Sequence, residues 1–213
     1  MSVYIGIDEV GRGPLAGPVE VGAVLVYGDM IKEFKNAVKR FGVPLRDSKK
    51  LSEKQRKEWK RHLAAMREEK IVEYATARVS PNVIDVLNIS RATGRAAEKA
   101  VVKALKVSRS LNATIRIFSD AGIRPDISRI PSKNIRFTAH VRGDETIPLI
   151  SLASIVAKVS RDAYMTALAK KHPGYHFDAN KGYGTRDHIR ALRARGPSPI
   201  HRLTFLGNFS KME

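Results

Sequence analysis

The chain has 213 residues and no cysteine, and its 39 lysines and arginines against 21 acidic residues give a formal net charge of +18. Disulfides and thiolate metal sites are therefore excluded, in keeping with a reducing cytoplasm, and the length suits one domain with a sizeable core. A surface this basic selects polyanions, nucleic acid before anionic membrane, although a generally solvated basic surface fits the same balance.

In chain order the elements read as mixed α/β. The apolar run 3–7 predicts a buried strand closed by Asp8-Glu9 and a Gly-Arg-Gly turn, and the valine-rich run 19–27 predicts a second. Ser52 with Gln55 three residues on forms a capping box, and Trp59, Leu63 and Met66 give the following helix an apolar stripe. A strand is expected over 70–79. Ser80-Pro81 then starts helix that continues to about residue 106 with a fresh cap at Asn88, and Ala92, Ala96, Ala97 and Ala100 suggest close packing on the sheet. Strands are expected over 114–118 and 135–139. Pro148 opens a long helix to about residue 170, stopped near Pro173-Gly174, and a short helix over 185–195 ends at Gly196-Pro197. The longest apolar stretch, 147–157, is short and broken by serine, and the N-terminus lacks a basic-then-apolar leader. A cytoplasmic protein with no membrane partner is the expectation.

Candidate chemistry gathers at three points. Asp8 and Glu9 follow an apolar strand, and both serve one site only where that strand is ending, since neighbouring strand residues face opposite ways. Alone, the pair is equally two solvated loop acids. Asp120 also follows an apolar strand and precedes Ala121-Gly122, where a turn-forming role competes. Asp144 follows Gly143 and can turn toward a shared centre, whereas Glu145 suits the dipole of the coming helix. Carboxylates gathered together raise each other's pKa unless cations neutralise them, and without lysine or arginine partners they call for hard divalent ions, magnesium or manganese. Lys158 and Arg161 on the long helix face nucleic acid or solvent, and Asp162 pairs with a cation. His172, His176, His188 and His201 lack ligand spacing and carry no catalytic role.

The motif series closely resembles type 2 ribonuclease H, ribonuclease HII. It runs Ile7-Asp8-Glu9-Val10-Gly11-Arg12-Gly13-Pro14, then Asp47-Ser48-Lys49-Lys50-Leu51-Ser52, then Ser119-Asp120-Ala121-Gly122 and Gly143-Asp144. It continues with Ala153-Ser154-Ile155-Val156-Ala157-Lys158-Val159-Ser160-Arg161-Asp162, Lys181-Gly182-Tyr183-Gly184-Thr185 and Gly196-Pro197-Ser198-Pro199-Ile200-His201-Arg202. The resemblance implies a ribonuclease H-like α/β fold: a central mixed five-stranded sheet flanked by helices, with a catalytic domain over 1–172 and a small helical C-terminal extension over 173–213. It implies endonucleolytic cleavage of RNA in RNA–DNA hybrids and of single ribonucleotides embedded in duplex DNA, leaving 5′-phosphate and 3′-hydroxyl ends.

Carried over by position, the resemblance assigns catalysis and two Mg2+ or Mn2+ ions to Asp8, Glu9, Asp120 and Asp144. It assigns substrate contacts to Gly11, Arg12, Gly13 and the junction-reading Tyr183; Lys49 in the second motif suits a phosphate near the cut. From the residues alone, Arg12 and Lys49 are equally solvated cations and Tyr183 a half-buried surface tyrosine. A monomer is expected, and the tail 203–209 is apolar enough to suggest a sliding-clamp contact or packing on the domain. A basic non-catalytic nucleic-acid binder and a nuclease acting on all-DNA substrates are the rival classes.

Overall fold

The computed structural model describes residues 2–45, 48–106, 113–132 and 134–207. Five strands, β1 (Ser2–Val10), β2 (Val19–Tyr27), β3 (Val72–Val79), β4 (Thr114–Asp120) and β5 (Ile135–His140), form one sheet in the order β3-β2-β1-β4-β5. β1 pairs antiparallel with β2 and β2 with β3, while β1–β4 and β4–β5 are parallel. This is the mixed five-stranded sheet flanked by helices that the sequence led us to expect.

The helices are α1 (Ile31–Arg40), α2 (Glu53–Glu68), α3 (Pro81–Leu87), α4 (Ile89–Lys106), α5 (Gly143–Thr146), α6 (Pro148–Lys171), α7 (Phe177–Asn180) and α8 (Arg186–Arg195). One face of the sheet buries Val3, Ile5 and Ile7 against the alanines of α4, and the other buries Val24 and Val26 against α1, α2 and α6. Both halves of the Ser52–Gln55 capping box are made. Asn88, with φ of 67°, breaks the chain between α3 and α4, and its side-chain oxygen accepts from the N–H groups of Ser90 and Arg91. The helix α1 was not expected. Its apolar positions Ile31, Phe34, Ala37 and Val38 do fall at helical spacing and pack on the core of that face, a signal the sequence does carry.

The apolar stretch that opens α6 is a helix buried on a sheet: residues 149–157 are all buried. Among the described residues no helix is long and apolar enough to cross a membrane. Two glycines allow α6 to lie close. A Cβ on Gly6 would stand 2.3 Å from the Leu149 carbonyl carbon, and one on Gly22 would stand 2.3 Å from the Ala153 oxygen. Since Gly22 is the β-ladder partner of Asp8, this close approach sets the α6 backbone over the carboxyl end of β1.

Strand β1 runs three residues beyond the expected 3–7 at that end. Its parallel ladder to β4 stops at Ile7–Ser119, but its antiparallel ladder to β2 continues to Val10–Glu20. Asp8 and Glu9 are thus strand residues that have lost one neighbour and kept the other. The carboxyl ends of β1 and β4 lie side by side, where sites collect in α/β sheets.

Gly22→Ala should lower stability by roughly 1–3 kcal/mol, because helix backbone rather than a flexible side chain must give way. Gly13→Ala, with nothing within 4 Å of an added Cβ, should stay within about 0.5 kcal/mol of the parent. Urea unfolding of the two variants beside the parent measures this.

Candidate active site

Along β1, Asp8 shares the side of Gly6, which faces α6, and Glu9 shares the side of Ile5 and Ile7, which face α4. The strand alternation therefore holds, and the two carboxylates stand on opposite faces of the last turn of the pleat. They interact because the sheet is ending. Asp8 is buried; its carboxylate accepts from the Ser154 hydroxyl, and Ser154 Oγ in turn lies 2.6 Å from Ser48 Oγ. Burial first, then the charge of Glu9 and more weakly that of Asp144, push the Asp8 carboxyl well above its usual range, against the Ser154 hydrogen bond. Burial also raises Glu9; Arg12 opposes the shift and Asp120 adds to it.

Asp120 ends β4, and its Oδ1 accepts from the Gly143 N–H at 3.1 Å. That bond ties β4 to α5, whose first turn carries Asp144 and Glu145. Arg142, with φ of 55°, makes the left-handed step that swings the chain into this turn. Asp144 is half-buried and its carbonyl accepts from Ser151 Oγ at 2.6 Å. Glu145 faces outward and pairs with Lys50 at 2.7 Å.

The structure thus brings Asp8, Glu9, Asp120 and Asp144 into electrostatic contact in pairs: Asp8 with Glu9 and Asp144, and Glu9 with Asp120. Among the described residues, no three Asp, Glu or His side chains stand as a ready-made metal cage. The donor set nevertheless suits a hard cation. It is all oxygen, two members are held above their ordinary pKa, and Glu9 Oε2 is buried with no hydrogen-bond partner.

Arg12 bridges the two strand ends, donating from Nη1 to the Gly122 carbonyl at 2.8 Å and lying 3.6 Å from Glu9. Gly11, with φ of 85°, has no room for a side chain, since a Cβ would meet the Arg161 guanidinium; Gly13 faces open space. Lys49 is exposed on a 3-10 turn, Ser48–Lys50, whose ends are pinned to Ser154 and Glu145 at the acid site. Asp47, in the same motif, lies outside the described residues. Tyr183 is 41% exposed, its ring centroid 5.9 Å from the Arg161 guanidinium carbon.

Two arginines hold these loops, and neither was expected to do so. Arg161 faces neither nucleic acid nor solvent; it is 0% exposed and donates to the carbonyls of Pro18, Ala16 and Lys181 at 2.9, 3.3 and 3.0 Å. Arg202, also 0% exposed, donates to Gly17, Arg12 and Gly11 at 2.9, 2.7 and 2.6 Å. Burial, then the neighbouring Arg161, bring the Arg202 guanidinium down to about 9. A cation following the buried run of α6 by four residues was the signal for Arg161. Arg202 gave none beyond its place in the last motif. Lys158 and Asp162 pair at 2.8 Å as expected, and Lys181 Nζ turns inward to Thr166 and the Asp178 carbonyl.

Two of the four histidines form a buried relay behind Tyr183. His188 Nδ1 donates to the Tyr183 carbonyl at 2.8 Å, which leaves its Nε2 to accept from His201 Nε2 at 3.0 Å. His201 Nδ1 then accepts from the Ser198 N–H at 2.9 Å. This proton arrangement requires both rings to be neutral. Burial lowers both pKa values, that of His201 to about 4 with His188 adding to the shift. In the tail, Phe205 packs on the core beneath Arg202 while Leu203 is exposed; residues 208 and 209 lie outside the described residues.

A mixed sheet in this order, with acids at the adjoining ends of its first and fourth strands, is the framework of a ribonuclease H-like hydrolase. The family model of ribonuclease HII matches residues 5–207. Ribonuclease HII of Neisseria meningitidis serogroup B is 42% identical over 201 residues, covering 94% of this chain and 90% of that one. Ribonuclease HII of Pelagibacter ubique is 36% identical over 205 residues, 96% of each chain. The crystal structure of ribonuclease H2 from Pyrococcus horikoshii OT3 superposes with a TM-score of 0.65 at 25% identity, covering 95% of this chain and 93% of that one. The chain belongs to the ribonuclease HII family and is a metal-dependent ribonuclease H hydrolase.

Two outcomes follow from these electrostatics. Raised carboxyls favour the folded state below their ordinary pKa and oppose it once pH rises through the folded value. Asp8→Asn should therefore raise the melting temperature in chelator at neutral pH and reduce the further rise that magnesium or manganese gives the parent, both read by scanning calorimetry. His201 acts with the opposite sign: its neutral-state contribution is complete above pH 6.5 and is lost as pH falls through about 4. His201→Gln should flatten the stability profile across that window relative to the parent.

Proposed function

We infer that this chain, as a member of the ribonuclease HII family, is an endoribonuclease acting on RNA–DNA hybrids with divalent metal. We propose that it also cuts at single ribonucleotides embedded in duplex DNA, using Asp8, Glu9, Asp120 and Asp144 to hold two Mg2+ or Mn2+ ions and leaving 5′-phosphate and 3′-hydroxyl ends. The observation that carries this reading is the repulsion between buried Asp8 and its neighbour Glu9, whose Oε2 is buried without a hydrogen-bond partner, in a chain with a net charge of +18. Arg12 reaches Glu9 at 3.6 Å but shares its guanidinium with the Gly122 carbonyl. When bound, the divalent ions supply charge neutralisation for the attacking and leaving oxygens of the phosphodiester.

The remaining work falls to the chain itself. The open side of Gly13 lets backbone approach a sugar closely, and a 2′-hydroxyl offers that backbone both a donor and an acceptor. Tyr183, half-exposed and backed by Arg161, presents a rigid ring to the adjoining sugar and rejects a hydroxyl in the wrong place. Lys49, on its pinned turn, faces phosphate. The unit with this chemistry spans 1–172, residues 173–213 serve it as a helical extension, and the protein works as a cytoplasmic monomer. Packing of Phe205 favours a tail that serves its own domain over one free to dock on a sliding clamp.

The test is cleavage of a duplex carrying one ribonucleotide, with an all-DNA duplex and chelator as controls. Cleavage at the ribonucleotide alone, lost with chelator and reduced at least ~100-fold in Asp120→Asn, is expected; each factor of 100 corresponds to about 2.7 kcal/mol of barrier. Tyr183→Ala should reduce the rate on the single ribonucleotide more than on a continuous hybrid. Cutting of the all-DNA duplex, or near-parental turnover by Asp120→Asn, would overturn the reading.

A further inference from the structure

Helix α4 is buried on nearly all sides. Ala92, Ala96, Ala97, Ala100 and Ala104 are fully buried against the sheet. The exposed positions from 91 to 103 are Arg91, Arg95, Lys99 and Lys103, each four residues from the next and every one a cation. At 1.5 Å of rise per residue they stand about 6 Å apart and span about 18 Å. Such a row does not arise from helix stability. Like charges at i,i+4 are unfavourable by roughly 0.2–0.5 kcal/mol per pair, and a single acid in the row would relieve them.

Two concavities flank the row and meet at Arg95. One of about 300 Å³ is lined by Arg78, Arg95, Lys99 and Tyr164, and the other, of about 550 Å³, by Arg91, Arg95, Arg124 and Arg129, with Glu98 and Asp126 among its walls. Arg129 is occupied with Asp126 at 3.5 Å and Arg78 with Glu20 at 3.3 Å. The loop that follows β4 reaches this helix. A Cβ on Gly94 would stand 2.5 Å from the Arg124 carbonyl, so the loop leaving Asp120 lies directly on the N-terminal half of α4.

We propose that the outer face of α4, with Arg124, is a second, sequence-independent binding surface for the phosphate backbone of duplex DNA, separate from the cleavage site. Duplex DNA carries one charge per ~1.7 Å of axis with both strands counted, so a length of about 18 Å holds about ten phosphate charges around its circumference for a row of four cations, of which Lys103 also donates to the Thr76 carbonyl at 3.3 Å. The surface would hold flanking duplex while a ribonucleotide is sought or cut. Its test reads binding without cleavage, so it stands or falls independently of the assignment of the four acids.

The variant is Arg91→Gln/Arg95→Gln/Lys99→Gln, which keeps good helix formers at exposed positions. Binding of a 30-base-pair all-DNA duplex is measured from low to moderate salt. The slope of log K against log salt should become shallower by about 2 to 3, near 0.9 for each phosphate no longer neutralised, and affinity at low salt should fall at least ~10-fold. On a hybrid too short to leave the acid cluster, KM and kcat should match the parent, while KM on a long hybrid should rise. If the triple variant does not fold, the three single variants decide the matter, each flattening the slope by about 0.9. A parental slope and affinity would overturn the proposal, leaving the row a solvated face. An equal rise in KM on short and long hybrids would also overturn it, because the row would then belong to the cleavage site.

Discussion

Two guanidinium groups with no water around them hold the functional end of this molecule. Between them Arg161 and Arg202 satisfy six backbone carbonyls, from Gly11, Arg12, Ala16, Gly17, Pro18 and Lys181. A loop of this kind cannot satisfy its own carbonyls through a ladder, and a buried carbonyl left without a donor costs about 1–3 kcal/mol. Arginine suits the task because one planar fork supplies several donors in fixed directions, which a lysine ammonium does not. The electrostatic cost appears in the lowered pKa of both groups, Arg202 reaching about 9. The two forks fix the segment that turns away from Asp8 and Glu9 against the segment that carries Tyr183.

The acid cluster depends on that rigidity. Asp8 is desolvated by α6, which lies close only because Gly6 and Gly22 have no side chains, and it is oriented by Ser154, backed in turn by Ser48. Glu9 is held from the other face by Arg12, whose backbone oxygen is itself bound by Arg202. Asp120 is fixed by the N–H that opens α5. Asp8, Glu9 and Asp120 are thus anchored by three different parts of the chain, Ser154 on α6, Arg12 and the Gly143 N–H. The result is a concentration of negative charge in which burial and mutual repulsion hold Asp8 and Glu9 above their ordinary pKa.

Much of this could be read from the chain, and what could not has identifiable reasons. Strands and long helices follow from apolar runs and from caps such as Ser52 and Asn88, which are local properties. The carboxyl end of β1 was placed early because a sequence shows an apolar run stopping but does not show that β2 remains alongside after β4 has left. Arg161 was read as a surface cation because its partners are carbonyls more than 140 residues away for Pro18 and Ala16, and carbonyls carry no sequence signature. The histidine relay was missed for a related reason: His188 and His201 are 13 residues apart, and ligand spacing was sought where the partner was a second imidazole. The four acids were legible as a set through the ordered motifs, whereas their division between two faces of β1 needed the fold.

The distribution of charge joins these parts. A chain with 39 basic residues could readily neutralise four acids, and the arrangement limits that. Lys50 is committed to Glu145, which lies just outside the cluster, and Lys158 to Asp162. Lys181 is turned into its own loop, and Arg161 and Arg202 are spent on carbonyls. Arg12 touches Glu9 at 3.6 Å while donating to Gly122, so it shares its charge rather than closing an ion pair. Basic residues near the acids are therefore tied by local partners, whereas Arg91, Arg95 and Lys99 on α4 are exposed. Positive charge is thus concentrated along the flank on α4 and negative charge at the adjoining ends of β1 and β4. The buried carbonyl-bound arginines fix the segment that leaves Asp8 and Glu9, and the packed alanines of α4 fix the helix that carries the outer row.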